Sequence, residues 1–239
     1  MPYKRQEGGR AVKVIKNVRL RKALRILIPS LVIPGTVAAG AWLFPGQHYL
    51  LTAFLVALFS LVLFISGFER RQTGARRLVI VAVMTALCIA GRFIPLFKPI
   101  TALTVITAMY LGGESGFLVG ALSALISNFS FGQGPWTPFQ MLAWGLIGLL
   151  AGALREPLKK NIWLLCLFGV LCGIVYSMVM DVWTVLWYNQ GFDAKLYLAA
   201  MSTALPHTAL YAVSNFLFLY FFARPFGEKM TRIQLKYGI

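Results

Sequence analysis

Eight apolar segments constrain this chain more than any other feature. They run at about 24–44, 49–67, 77–94, 99–111, 115–130, 137–154, 161–188 and 197–223. A bilayer core about 30 Å thick needs roughly 20 apolar residues per helix, and most of these segments approach that length. Inside lipid every backbone N–H and C=O must be bonded within the protein, so helices are the expected form. The segment 99–111 is short for a full span and is expected to be tilted, broken or flanked by re-entrant chain. The segment 161–188 is long, which predicts tilt or projection beyond the lipid. Composition closes off the alternatives: 59% of the residues are hydrophobic and only 13% are charged. A soluble domain carries about a quarter charged residues, so a water-soluble, disordered or fibrous chain is excluded. The expected fold class is an all-α integral membrane protein with eight spans.

Charge orients the segments. The chain has 23 Lys and Arg against 7 Asp and Glu, a net charge of +16. Such an excess often points to nucleic acid, but here the basic residues sit at the ends of apolar segments. There they read as topology signals and contacts to lipid headgroups, and no nucleic-acid partner is expected. With eight spans, 20 of the 23 fall on one side. Arg92, Lys98 and Lys195 fall on the other. The positive-inside rule then places both termini in the cytoplasm.

Four regions follow: a basic arm at 1–22, a two-helix hairpin at 23–68, a six-helix core at 75–224 and a cytoplasmic tail at 225–239. In the arm, Ala11, Val14, Ile15 and Val18 recur at helical spacing among basic residues. That pattern fits a short amphipathic helix on anionic lipid, and equally a disordered arm that only sets orientation. The arm and the run Ile26–Val37 also resemble a signal peptide. Pro29 and Pro34 inside that run favour an uncleaved, kinked membrane helix instead. Cys88, Cys166 and Cys172 lie inside apolar runs and form no CxxC pair. They read as buried small hydrophobes, with no disulfide or metal framework.

No phosphate-binding GxxxxGK[ST], HExxH, GxSxG or paired-carboxylate cluster occurs. The chain is therefore not expected to be an enzyme or to hold a cofactor of its own, and driven work would draw on a partner or an ion gradient. Ala82, Ala86 and Ala90, at spacing four, form a strip of small residues. Such strips let helices approach closely in lipid, either inside the bundle or against another membrane protein. Similar strips occur at Gly116/Gly120/Ala124, Gly148/Gly152 and Gly169/Gly173.

The connector Ser127–Gln140, on the outer side, mixes two prolines and two glycines with aromatic and amide side chains. Outer loops held by rigid helices often form binding sites; a structured turn with Trp136 as an interfacial anchor is the plainer reading. Asp181 is the only acidic residue well inside a span. A carboxylate there is expensive, marks function by default and needs a partner. Arg92 and His207 lie at comparable depth, and a structural Asp181–Arg92 pair has equal standing with a functional role. Trp183, Trp187, Tyr188 and Tyr211 would suit a large, flat or partly apolar solute, or simply form the aromatic belt.

The run Ala75-Arg76-Arg77-Leu78 into Ala82/Ala86/Ala90, the stretch Leu118–Ala124 and the run Phe131–Met141 resemble the substrate-binding S components of energy-coupling factor (ECF) vitamin transporters. They are most similar to the branch that includes cobalamin S components. The resemblance is clear over about a third of the chain. It implies a six-helix core, here preceded by an extra transmembrane hairpin, in a bacterial plasma membrane. It implies high-affinity vitamin binding, with cobalamin or a related corrinoid as first choice. It also implies docking through Ala82, Ala86 and Ala90 onto a membrane T component driven by two ATPase subunits. The candidate substrate contacts are Arg92, Asn128, Gln133, Trp136, Thr137, Gln140, Asp181, Trp187 and His207. The resemblance supports the 128–140 members best, and the others rest on depth and chemistry. The competing expectation is a solitary secondary transporter of a small aromatic or apolar solute, with Asp181 and His207 as a proton-coupling pair.

Overall fold

The computed structural model describes residues 17–43, 49–66, 71–95, 97–189 and 191–238. Ala11, Val14 and Ile15 of the amphipathic pattern lie outside them. Among the described residues the chain forms ten α-helices and one π-helical turn, with no strand. The chain is a membrane protein by the character of these helices. Three stretches are long and apolar enough to cross a bilayer by length and composition: Lys22–Trp42, Ile162–Asn189 and Ala194–Tyr237.

Helix α1 (Val18–Leu27) starts where Asn17 accepts hydrogen bonds from the Arg19 and Leu20 backbone N–H groups. It runs through a π-helical turn (Ile28–Val32) into α2 (Ile33–Leu43). Pro29 lies at the start of that turn. Proline has no N–H to give the helical ladder, so the extra residue per turn falls where the ladder is already interrupted. The irregularity falls within the run where the prolines predict a kink. Helix α3 (Tyr49–Ser66) returns alongside α2 and packs on α6 and α7.

The core comprises α4 (Arg71–Arg92), α5 (Ile100–Leu111), α6 (Gly113–Phe131), α7 (Trp136–Ala153), a short α8 (Arg155–Lys160), α9 (Ile162–Asn189) and α10 (Ala194–Tyr237). Every residue of α5 except Tyr110 is buried. Helix α5 is short because it is the centre of the bundle, touched by α4, α6, α7, α8, α9 and α10. A helix apolar on all sides belongs inside, and protein rather than lipid surrounds this one. Helix α10 has 44 residues, about 66 Å at 1.5 Å per residue, twice the hydrocarbon thickness. It runs unbroken through Pro206 and Pro225 into the residues assigned to a tail. Its far end is held by protein: Gln234 Nε2 donates to the Tyr110 carbonyl at 2.6 Å, and Arg76 donates to the Tyr237 carbonyl. Lys159 Nζ stands 4.6 Å from the Tyr110 ring centre. Burial there pulls its ammonium below the usual lysine range.

The small-residue strips resolve into two kinds. A Cβ on Gly120 would stand 2.6 Å from Trp144 backbone, and one on Gly148 would stand 2.6 Å from the Gly116 carbonyl oxygen. Helices α6 and α7 therefore touch backbone to backbone. Gly173 faces Ala212 in the same way across α9 and α10. Those strips are internal. Ala82, Ala86 and Ala90 are exposed, among exposed Leu78, Val79, Val83 and Leu87. The α4 strip faces out of the bundle.

Candidate functional site

Five of the nine predicted contact residues meet in one hydrogen-bonded network at the end of the bundle opposite the basic clusters. Arg92, at the last turn of α4, donates to Ser127 and, at 2.8 Å, to Asn128 Oδ1. Asn128 Nδ2 donates to Thr137 Oγ1 and to Gln140 Oε1, both at 2.8 Å. Thr137 Oγ1 donates to Gln133 Oε1 at 2.9 Å. Gln133 Nε2 returns to the Leu125 carbonyl at 2.8 Å. Gln140 Nε2 extends the chain to the Tyr176 hydroxyl of α9 at 3.1 Å. One amide, Asn128, thus ties α4, α6 and α7 together, and it is 1% exposed. Buried polar groups in lipid persist only when bonded, and each side chain of this network has found a partner.

Local sequence explains the geometry. The stretch expected to be a long connector is mostly helix. Helix α6 continues through Phe131 and α7 begins at Trp136, leaving only residues 132–135 between them. Gly132 takes φ +101°, a left-handed conformation that costs glycine little. Gly134 lies against the Trp136 ring, where a Cβ would collide with the indole. The tight turn brings Asn128 on the end of α6 opposite Thr137 and Gln140 on the first turns of α7.

Aromatic rings flank the network. The Arg92 guanidinium carbon lies 4.7 Å from the Phe131 ring centre and 5.5 Å from that of Trp144. Such contacts spread a desolvated guanidinium charge over π faces. Trp144 stacks on Tyr176 at 4.5 Å and donates Nε1–H to Thr101 Oγ1 at 3.0 Å. Tyr176 meets Tyr211 at 5.1 Å. Nearer the helix ends, Trp136 packs edge-on against Trp183 at 5.5 Å, and Trp183 stacks with Trp187 at 6.1 Å. Trp136 and Trp187 are joined only through Trp183. The connector before α5 closes this end: Lys98 N–H donates to Ser214 Oγ of α10 at 2.7 Å, and Lys98 Nζ to the Arg92 carbonyl at 3.0 Å.

Asp181 and His207 stand apart from the network. Arg92 turns to α6, and no Asp181–Arg92 ion pair forms, which corrects the pairing considered from depth alone. Asp181 is 8% exposed and lines a groove of about 300 Å³ between α9 and α10, with Ser177, Ser202 and Thr208. His207 is exposed and outside that groove, although Leu205 and Thr208 line it. A proton-coupling pair of Asp181 and His207 has no geometric support.

Ser127, Thr101, Trp144 and Tyr176 complete the cluster without having been singled out as contacts. Tyr176 stands one heptad before Trp183 on α9 and so shares its face. That spacing was a usable signal. Thr101 and Ser127 carried none, because short hydroxyl side chains commonly bond their own helix.

The family described as ECF-type riboflavin transporter, S component, matches residues 72–230, about two thirds of the chain. The match begins at α4 and leaves the hairpin α1–α3 outside it. No curated protein and no solved structure matches the chain.

Proposed function

The chain belongs to the ECF-type riboflavin transporter S-component family, and on that premise we propose that it captures a flavin at the network end of the bundle and delivers it inward. Membership makes it an S component and implies a substrate-binding role in vitamin uptake beside a T component and ATPases. The family description names riboflavin and lends no support to a corrinoid, so a flavin replaces cobalamin as the first-choice substrate. One observation carries the site: Asn128, Gln133, Thr137 and Gln140 gather amide and hydroxyl groups beside Trp136, Trp183 and Trp187. A tricyclic flavin ring offers a flat aromatic face and an edge of alternating N–H and C=O groups. Tryptophan faces suit the first and primary amides the second. Substrate would take over hydrogen bonds these side chains now make to one another.

The exposed Ala82, Ala86 and Ala90 are the proposed seat of the T component, since the glycine strips of α6, α7 and α9 are spent on internal packing. Eight spans, cytoplasmic termini and a bacterial plasma membrane complete the reading. Charge supports it, because the basic start of α4 and the basic end of α10 meet, Arg76 donating to the Tyr237 carbonyl.

The test is direct. The full chain is purified in mild detergent and examined by native mass spectrometry and by titration with riboflavin. Retained flavin, or saturable quenching of flavin fluorescence, is the expected result. A protein that is folded, empty and unresponsive to riboflavin would overturn the flavin assignment. Ala86→Trp should abolish co-purification of the ATPases while leaving riboflavin binding intact; undiminished co-purification would overturn the docking assignment.

A further inference from the structure

At the basic end of the bundle a cavity of about 650 Å³ lies between the N-terminal hairpin and the core. Its charged rim consists of Arg25 from α1, Glu114 at the start of α6 and Arg155 just past α7. Most of the remaining wall is apolar or glycine: buried Pro29, half-buried Leu146 and Leu149, and the more exposed Ile26. Arg25 and Glu114 form an ion pair that ties hairpin to core at the rim. Arg155 is half exposed and pairs with its sequence neighbour Glu156 at 3.3 Å. These two guanidiniums are balanced by two carboxylates, Glu114 and Glu156. Arg77, whose Nη2 donates to the Leu111 carbonyl, is a third cation nearby and leaves this end of the cavity with one net positive charge: a Cβ on Gly112, itself in the wall, would stand 3.5 Å from that Nη2.

We propose that this cavity is a binding site for an anionic phospholipid, with its phosphate at Arg25 and Arg155 and an acyl chain against Ile26, Pro29 and Leu149. Guanidinium is the side chain best matched to phosphate, because its planar N–H groups bond two oxygens together. Basic pockets between spans at the headgroup level are the usual seat of such lipids. The apolar wall selects a lipid over a soluble anion, since a free phosphate gains nothing from it. The π-helical turn at Ile28–Val32 brings Pro29 and Ser30 to the cavity wall. It also supplies the hairpin with a role: hairpin and core each contribute one phosphate-binding arginine, so the lipid joins them. The inference rests on the chain spanning a bilayer with its basic end at a headgroup layer, and is independent of which vitamin it carries.

The experiment is native mass spectrometry of the full-length protein, delipidated in mild detergent and titrated with phosphatidylglycerol or phosphatidylcholine of matched chains. Each basic residue near a headgroup favours the anionic lipid about fivefold. The wild type should therefore retain phosphatidylglycerol at least about fivefold better than phosphatidylcholine. R155Q, at a half-exposed position whose loss leaves the Arg25–Glu114 pair in place, should lower that preference about fivefold, and R155K should restore most of it. Ala153→Trp, which fills the cavity without altering charge, should reduce retention of both lipids. The water-soluble headgroup glycerophosphoglycerol should not displace bound lipid. Equal retention of the two lipids by the wild type overturns the proposal, as does an unchanged preference in R155Q. Displacement by the soluble headgroup would show a free-anion site instead. None of these readouts uses riboflavin, so their failure is distinct from failure of the flavin assignment.

Discussion

Replacing Asn128 by Leu tests the network at its centre. Leucine has the same heavy-atom count and branching, a larger volume and no polar atom, so the substitution removes hydrogen bonds without opening a cavity. Three bonds are lost: one accepted from Arg92 and one donated to each of Thr137 and Gln140. A neutral interhelical bond in a membrane protein contributes about 0.6 kcal/mol. A bond to a charged group contributes about 1.5–3 kcal/mol. The expected loss of stability is about 3–4 kcal/mol, dominated by the Arg92 contact. The assay is a double-mutant cycle of Asn128→Leu and Arg92→Met, read by reversible unfolding in mixed micelles. Arg92 and Asn128 should show a coupling energy of about 1.5–3 kcal/mol. The partner Thr137→Val should cost only about 1 kcal/mol, because Asn128 keeps Gln140 and Arg92. A coupling below about 0.5 kcal/mol would refute the reasoning. It would mean that Arg92 finds another acceptor or water as readily as it finds Asn128.

Gly148→Ala should destabilise the protein by about 1–3 kcal/mol, because its Cβ meets the Gly116 carbonyl at 2.6 Å; Ala86→Leu, on the open face of α4, should shift the unfolding midpoint hardly at all. Trp136→Ala should weaken riboflavin binding about fivefold in fluorescence titration, the loss of about 1 kcal/mol of ring contact; unchanged affinity would remove Trp136 from the site. Gly134→Ala should act in the same direction, since a Cβ there displaces the Trp136 indole. His207→Ala should leave both binding and stability unchanged, as an exposed side chain outside the groove; a loss of binding would restore His207 to the site.

Much of the helix order was readable from hydropathy. The segments expected at 49–67, 115–130, 137–154 and 161–188 lie within a few residues of α3, α6, α7 and α9. The candidate site was only partly readable. Arg92, Asn128, Gln133, Thr137 and Gln140 were legible because polar side chains at the edge of apolar helices are costly unless they have work to do. Their partners Thr101, Ser127 and Tyr176 were not, because a threonine, a serine or a tyrosine in a membrane helix has several cheap alternatives. Asp181 and His207 were grouped with the rest by depth and chemistry. Depth fixes position along a helix and says nothing about which face carries the side chain.

By itself the sequence determined that this chain is a bundle of membrane helices and which end of each helix bears positive charge. Lipid offers no partner for an exposed backbone group and water offers no home for long apolar runs, so composition and spacing leave one architecture class. Tertiary structure alone decided which glycine and alanine strips close on a neighbour and which face outward, since one spacing serves both purposes. It alone decided that Arg92 bonds Asn128 rather than Asp181, because that choice depends on the rotation of α4 against α6 and α9. The same packing placed Arg25 and Arg155, 130 positions apart, on one cavity rim. Their meeting depends on how the hairpin seats on the core, which no local pattern in the chain encodes.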